Sequence, residues 1–160
     1  MAIPKPLSGA DIATMIAAGV AAAAFLVTTV TYLLNTNRER KIKTLDYWQS
    51  SYSELIAAKD ALTKLHKGKW SEEVAKTKIG SEINLNLIID SLNKFEHLST
   101  GINLGIYDLK VLNKLGGKLL TDTFVAYATL IAVIENNPSL SDDFPEFKLL
   151  YSKLDSMRSN

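Results

Sequence analysis

From Ile12 to Leu34 the chain runs 23 residues, IATMIAAGVAAAAFLVTTVTYLL, without a charged side chain. Thr14, Thr28, Thr29 and Thr31 are the hydroxyl interruptions. As a helix rising about 1.5 Å per residue the run is about 34 Å long, enough to cross a hydrocarbon core of about 30 Å. A core helix of a soluble domain this long would carry a polar stripe, and this one carries none. The pattern predicts a transmembrane helix over residues 12–35.

Past this run the apolar positions recur in steps of three and four, the period of an amphipathic helix. Residues 38–67 contain neither Pro nor Gly. The transmembrane helix should therefore continue as the first helix of a bundle, burying Leu45, Trp48, Tyr52, Leu55, Leu62 and Leu65 with Ile56 alongside. Gly68 offers a stop, and Lys64 and Lys67 suit the negative end of the helix dipole. Ser71 followed by Glu72 and Glu73 predicts a short helix towards Ile79. Ser81 predicts a second start, for a long helix from Glu82 to about Thr100. Its apolar residues spread too widely for one face, so it should be buried on more than one side. Gly101 and Gly105 predict a turn or a tightly packed bend, Asp108 a cap, and Gly116-Gly117 a kink or short break. Thr121 or Asp122 then starts a helix ended by Asn136, Asn137 and Pro138. The last helix opens with Asp142, Asp143 and Pro145 and buries Phe147, Leu150, Leu154 and Met157; Pro fits a first turn because its missing N–H has no helical partner there. The expected class is all-α.

Charge orients this scheme. Lys5 precedes the apolar run, while Arg38, Arg40, Lys41 and Lys43 follow it with Glu39 among them. The positive-inside rule places that flank in the cytoplasm. The expected layout is a short extracytoplasmic N-terminus (1–11), a single span of the inner membrane (12–35) and a cytoplasmic helical-bundle domain (36–160). Membrane lipids are expected partners, with Arg38, Arg40, Lys41 and Lys43 at the headgroups. A cleaved signal peptide is the competing reading, and Ala21 to Ala24 could mimic its cleavage site. It wants a basic start and a short apolar core. Here Asp11 offsets Lys5, and the apolar run continues to Leu34.

The net charge of +1 gives no global field for nucleic acid, and none is expected as a partner. The absence of cysteine removes disulfides, thiol nucleophiles and thiolate metal sites. No phosphate loop, nucleophile elbow or HExxH is present. No catalytic residue, metal or cofactor is expected, and the chain does not read as an enzyme. Gly9, Ala13, Ala17 and Ala21 recur at spacing four, which gives a flat face where a second helix can approach closely. A homo-oligomer or pairing with another membrane protein would use it; an Ala-rich anchor also yields such spacing by chance.

The segment NKFEHLSTGINLGIYD, residues 93–108, sets Asn93, Glu96, His97 and Asp108 in apolar surroundings. A ligand or metal site is one reading. Adjacent helical residues point about 100° apart, so Glu96 and His97 do not face one substrate, and no second histidine stands one turn away. The plainer reading is a buried carboxylate hydrogen-bonded to a facing helix, fixing packing register. His66 should be exposed near a helix end. Lys110, Lys114 and Lys118 form a solvated face or a contact for anionic lipid or an acidic partner.

In layout and in this segment the chain resembles an uncharacterised bacterial and phage family, domain of unknown function 4760. The resemblance implies one N-terminal transmembrane helix, a basic flank and a small helical domain. It also implies that Asn93, Glu96, Gly101, Gly105 and Asp108 are signature positions. It supplies no reaction. The expected function is a membrane-anchored interaction or scaffold module, self-associating through its small-residue face. The alternative is a membrane-tethered sensor or effector, such as a phage-exclusion or signalling component, binding a ligand or host factor near Glu96, His97 and Asp108.

Overall fold

The computed structural model describes residues 8–140 and 142–158, and among them there are five α-helices and no strand. The all-α expectation holds. Lys5, with most of the expected extracytoplasmic segment, lies outside the described residues. The chain divides into two units, residues 1–39 and 40–160.

The first unit is the N-terminal part of helix α1, Gly9–Leu65. Its start is capped locally: Asp11 Oδ2 accepts from the Ser8 amide at 2.9 Å and from the Ser8 hydroxyl at 2.7 Å. Its large apolar side chains lie open, with Ile16 63%, Phe25 71% and Leu34 64% exposed. The hydroxyls turn inward: those of Thr14, Thr28, Thr29 and Thr36 donate to the carbonyls of Ala10, Ala24, Phe25 and Tyr32. These polar atoms are thus satisfied by the helix itself, as a helix in hydrocarbon needs.

The second unit packs the remainder of α1 with α2 (Glu72–Ile79), α3 (Glu82–Asn103), α4 (Leu109–Glu135) and α5 (Pro145–Arg158). Helix boundaries follow local chemistry. Gly68 takes φ +111° just past α1, a conformation open to glycine. The Ser71 hydroxyl accepts from the Val74 amide at 3.3 Å, and the Asp108 carboxylate from the Val111 amide at 2.9 Å. Pro145 is the first residue of α5. The core is built on Leu55, Leu62, Trp70, Leu92, Phe95, Leu112, Leu130, Phe144 and Phe147, all 2% exposed or less. Phe95 stacks on Phe147 at 5.3 Å between ring centroids, and Phe124 meets Phe147 edge-on at 5.2 Å.

Three expectations are corrected. Gly116 and Gly117 do not break a helix; α4 runs through them unbroken, and no new helix starts at Thr121 or Asp122. Both glycines are buried, and a Cβ at Gly116 would overlap the Trp48 indole. The glycine therefore admits a ring rather than a bend. On α1 the buried residues are Thr44, Leu55, Ala58 and Leu62, while Leu45 and Tyr52 are each 47% exposed. The register is set partly by small and hydroxyl residues, and a count of large apolar side chains overlooks them. α3 packs against both α2 and α5; its buried residues run from Ile88 to Ile102, and Ile83 at its start is 82% exposed. Met157 is 37% exposed, because only three residues of α5 turn fully inward: Phe147, Leu150 and Leu154.

Among the described residues two helices, α1 and α4, are long and apolar enough to cross a membrane. Half of the α4 stretch is buried inside the bundle, and none of the α1 stretch is buried.

Candidate functional site

The polar residues of segment 93–108 separate into two capping devices and one open groove. Glu96 lies on α3 and faces the start of α5. Its two carboxylate oxygens accept from the amides of Glu146 at 2.9 Å and Phe147 at 2.8 Å. These are the second and third residues of α5, whose amides have no acceptor within their own helix. Phe144, just before α5, has no side-chain oxygen to serve them. Glu96 thus supplies the cap from another helix, 50 residues away in sequence. Burial pushes its carboxyl above the ordinary value; the two amide bonds act in the opposite direction, and the nearby carboxylates of Glu146 and Asp143 add to the rise.

A hydrogen-bonded chain continues from this cap along the α3–α5 seam. Asn103 donates to the Glu146 carbonyl at 3.0 Å and to its carboxylate at 2.7 Å. Lys153 in turn donates to the Asn103 side-chain oxygen at 2.7 Å. Asn103, Glu146 and Lys153 escape a reading of the sequence because their partners are 43 to 50 residues apart.

Asp108 is the second device. Besides capping α4, its amide donates to the Thr44 hydroxyl of α1 at 2.7 Å, and that hydroxyl donates to the Arg40 carbonyl at 2.7 Å. Thr44 is 2% exposed, so this small polar contact is sealed in. Arg40 reaches the Tyr107 carbonyl with Nη2 at 3.3 Å, beside Gly105, whose φ is +74°. The α3–α4 turn is thereby fastened to the start of the α1 segment in this unit. Gly101, within α3 and not in the turn itself, is buried where a Cβ would overlap the Tyr107 ring.

The carboxylates of Glu96 and Asp108 therefore serve different helix starts. His97, one position on from Glu96, is exposed on another side of α3. It borders a shallow groove of about 340 Å³ with Tyr47, Thr100, Gly101, Ile106 and Tyr107. Tyr47 and Tyr107 pack with ring centroids 4.8 Å apart. Asn93 is half-buried on α3. Among the described residues no three His, Asp or Glu side chains are grouped to hold a metal ion. His66 is half-buried rather than open, with Nε2 at 3.2 Å from the Lys69 carbonyl and its ring edge-on to Trp70.

The remaining candidates lie elsewhere. Gly9, Ala13, Ala17 and Ala21 are exposed in the first unit, as is Arg38. Lys41 and Lys43 are exposed at the start of the second, where Arg40 is half-buried in its contact with Tyr107. Lys110, Lys114 and Lys118 are exposed along α4. A cleft of about 440 Å³ lies between α2 and the end of α4 and is lined by Glu72, Lys76, Ile79, Val133, Asn136 and Pro138 among others. No motif pointed to it.

The sequence model of the family described as domain of unknown function (DUF4760) matches residues 13–148, and the chain belongs to that family. No curated protein and no solved structure matches it.

Proposed function

We propose that the protein is a single-pass membrane protein whose helical bundle works as an interaction or scaffold module, not as an enzyme. The observation that carries this reading is the first unit. Its 23 uncharged residues from Ile12 to Leu34 form exposed helix, and threonines among them are bonded to their own backbone. Water penalises such a surface, at about 25 cal/mol for each Å² of apolar area, and a bilayer removes the penalty. Residues 12–35 cross the inner membrane, 1–11 stand outside, and the cations that follow hold residues 36–160 in the cytoplasm. The two carboxylates that segment 93–108 offers, Glu96 and Asp108, are committed to helix starts.

Two measurements test this. The chain lacks cysteine, so a single Met157→Cys substitution gives a unique label site. The protein should stay in membranes through alkaline carbonate washing, and the thiol introduced at position 157 should resist an impermeant maleimide in intact bacterial cells. Release by carbonate rejects the span, and labelling in intact cells rejects the orientation. Self-association through the small-residue face predicts that Ala13→Leu with Ala17→Leu weakens an oligomer in a membrane reporter assay. Unchanged oligomerisation removes that face from the proposal.

The sensor or effector reading keeps one specific support, the open groove beside His97. If it is correct, His97→Ala abolishes a cellular phenotype of the protein while the thermal melt stays the same.

A further inference from the structure

The α3–α4 turn carries an exposure that packing within the bundle does not explain. Leu104 is 71% exposed and Ile106 is 48% exposed, on either side of Gly105. Two large apolar side chains at a turn tip are a poor surface for water. The same turn is tied to Arg40 through the Tyr107 carbonyl and to Thr44 through the Asp108 amide. Arg40 follows Leu34, the last residue of the apolar run, by six positions. Six residues span at most about 20 Å even when fully extended. A turn bound to Arg40 therefore stays within reach of any membrane that holds residues 12–34. Exposed cations accompany it: Lys41 and Lys43 on α1, and Lys110 in the first turn of α4.

We infer that the Leu104–Tyr107 turn is a second membrane contact, with Leu104 and Ile106 seated at the boundary between headgroups and acyl chains and Lys41, Lys43 and Lys110 facing anionic lipid phosphates. This rests on the transmembrane reading of residues 12–35. Apolar side chains flanked by lysines are the composition of interfacial anchors, which enter the headgroup region without crossing it. The contact would give the bundle a fixed face towards the bilayer, and the groove beside His97 shares Ile106 and Tyr107 with that face.

The test uses full-length protein reconstituted into vesicles containing about one third anionic lipid, enough for a negative surface potential. Three single-cysteine variants, Leu104→Cys, Ile83→Cys and Phe25→Cys, each carry an environment-sensitive fluorophore. Ile83 is a control of matching character, apolar, 82% exposed and at the start of α3. Lipids with a shallow spin-label quencher should quench the probe at 104 at least several-fold more than the probe at 83, and aqueous iodide should do the reverse. The probe at 25 should respond to a deep lipid quencher. If 25 is lipid-quenched while 104 behaves like 83, the second contact is overturned and the anchor stands. Iodide quenching at 25 overturns both readings together. Equal lipid quenching at 104 and 83 overturns the assignment to this turn.

Discussion

Among the described residues two stretches are long and apolar enough to cross a membrane, and they have different surroundings. The apolar window of α1 is wholly uncovered, and that of α4 is half-buried among its neighbours. Length and composition do not separate them. The difference lies in how polar and small residues are placed. Along α4 they alternate with large residues so that one side meets the bundle: Leu112, Leu120, Tyr127, Leu130 and Ile134 are buried, while Lys110, Lys114, Lys118 and Asp122 are exposed. In α1 before residue 35 the apolar residues occupy every side, and from Ile12 onward there is no charged side to face water. A helix apolar all round wants an apolar environment all round; an apolar helix with one wet side wants a protein.

A matched pair of substitutions breaks this comparison if it is wrong, and it carries the largest expected effect. Leu130 is fully buried and Leu26 is 63% exposed. Leu130→Ala should lower the stability of the bundle by about 2–5 kcal/mol, the usual cost of a core Leu truncation. Leu26→Ala should leave the bundle's stability within about 0.5 kcal/mol of the parent, as a substitution away from the packed core does. Both are read by chemical denaturation of full-length protein in detergent, followed by tryptophan fluorescence, since both Trp48 and Trp70 lie in the second unit. A comparable loss in the two variants would mean that residues 12–34 are part of the bundle's core.

Next in size is Gly116→Ala. Overpacking a well-filled site costs about 1–3 kcal/mol, and here the added methyl meets the Trp48 ring. In an exposed helix the same change would stabilise by about 1 kcal/mol, from helix propensity. The sign of the effect therefore decides between a packing glycine and a merely permissive one. If Gly116→Ala stabilises the protein, Trp48 is not seated where the structure places it.

This glycine also shows where sequence reading stops. Features whose cause lies within a few residues were legible: the apolar run, the Ser71 and Asp108 caps, Gly68 after α1, Pro145 at the start of α5. Features whose cause lies across the fold were not. Gly116 reads as a breaker until Trp48, 68 positions earlier, is placed against it. Thr44 and Ala58 lose to Leu45 and Tyr52 in any count of large apolar side chains, yet they are the buried pair. The polar character of segment 93–108 was visible, and so was a facing helix as partner for Glu96. What the sequence did not disclose was that the partner is the backbone of α5 and that the Asp108 amide also reaches Thr44 of α1. No side-chain pattern marks two free amides.

Glu96→Gln comes third. A carboxylate accepts from both α5 amides, whereas a carboxamide presents one oxygen and one N–H₂, leaving an amide opposed by a donor. The expected loss is about 1–2 kcal/mol, between that of a missing cap and of an unpaired buried donor. The pH dependence sharpens it. Burial raises the folded-state value of Glu96 above its ordinary 4.5. The titration-linked part of its contribution is then fully present below the ordinary value and is lost as pH rises through the folded-state value. The stability gap between parent and Glu96→Gln should be widest in acid and narrow towards neutrality. A gap that widens with rising pH would mean that the two amide bonds outweigh burial.

The smallest effect is expected at the other capping carboxylate. Asp108 accepts from the Val111 amide within its own helix start, in the geometry that asparagine fills almost as well. Asp108→Asn should therefore cost no more than about 0.3 kcal/mol, and the Thr44 contact, made by the Asp108 backbone amide, should survive it. Asp108→Ala, which removes the acceptor altogether, should cost about 1 kcal/mol. Both are read from the same denaturation curves. The contrast with Glu96 turns on geometry, because a local cap tolerates an amide by presenting only its oxygen, while a cap between helices that engages both oxygens does not. If Asp108→Asn were as damaging as Glu96→Gln, the charge on Asp108 would be acting on something beyond Val111, and the exposed lysines at 110 and 114 would be the first groups to pair with it in a double-mutant cycle.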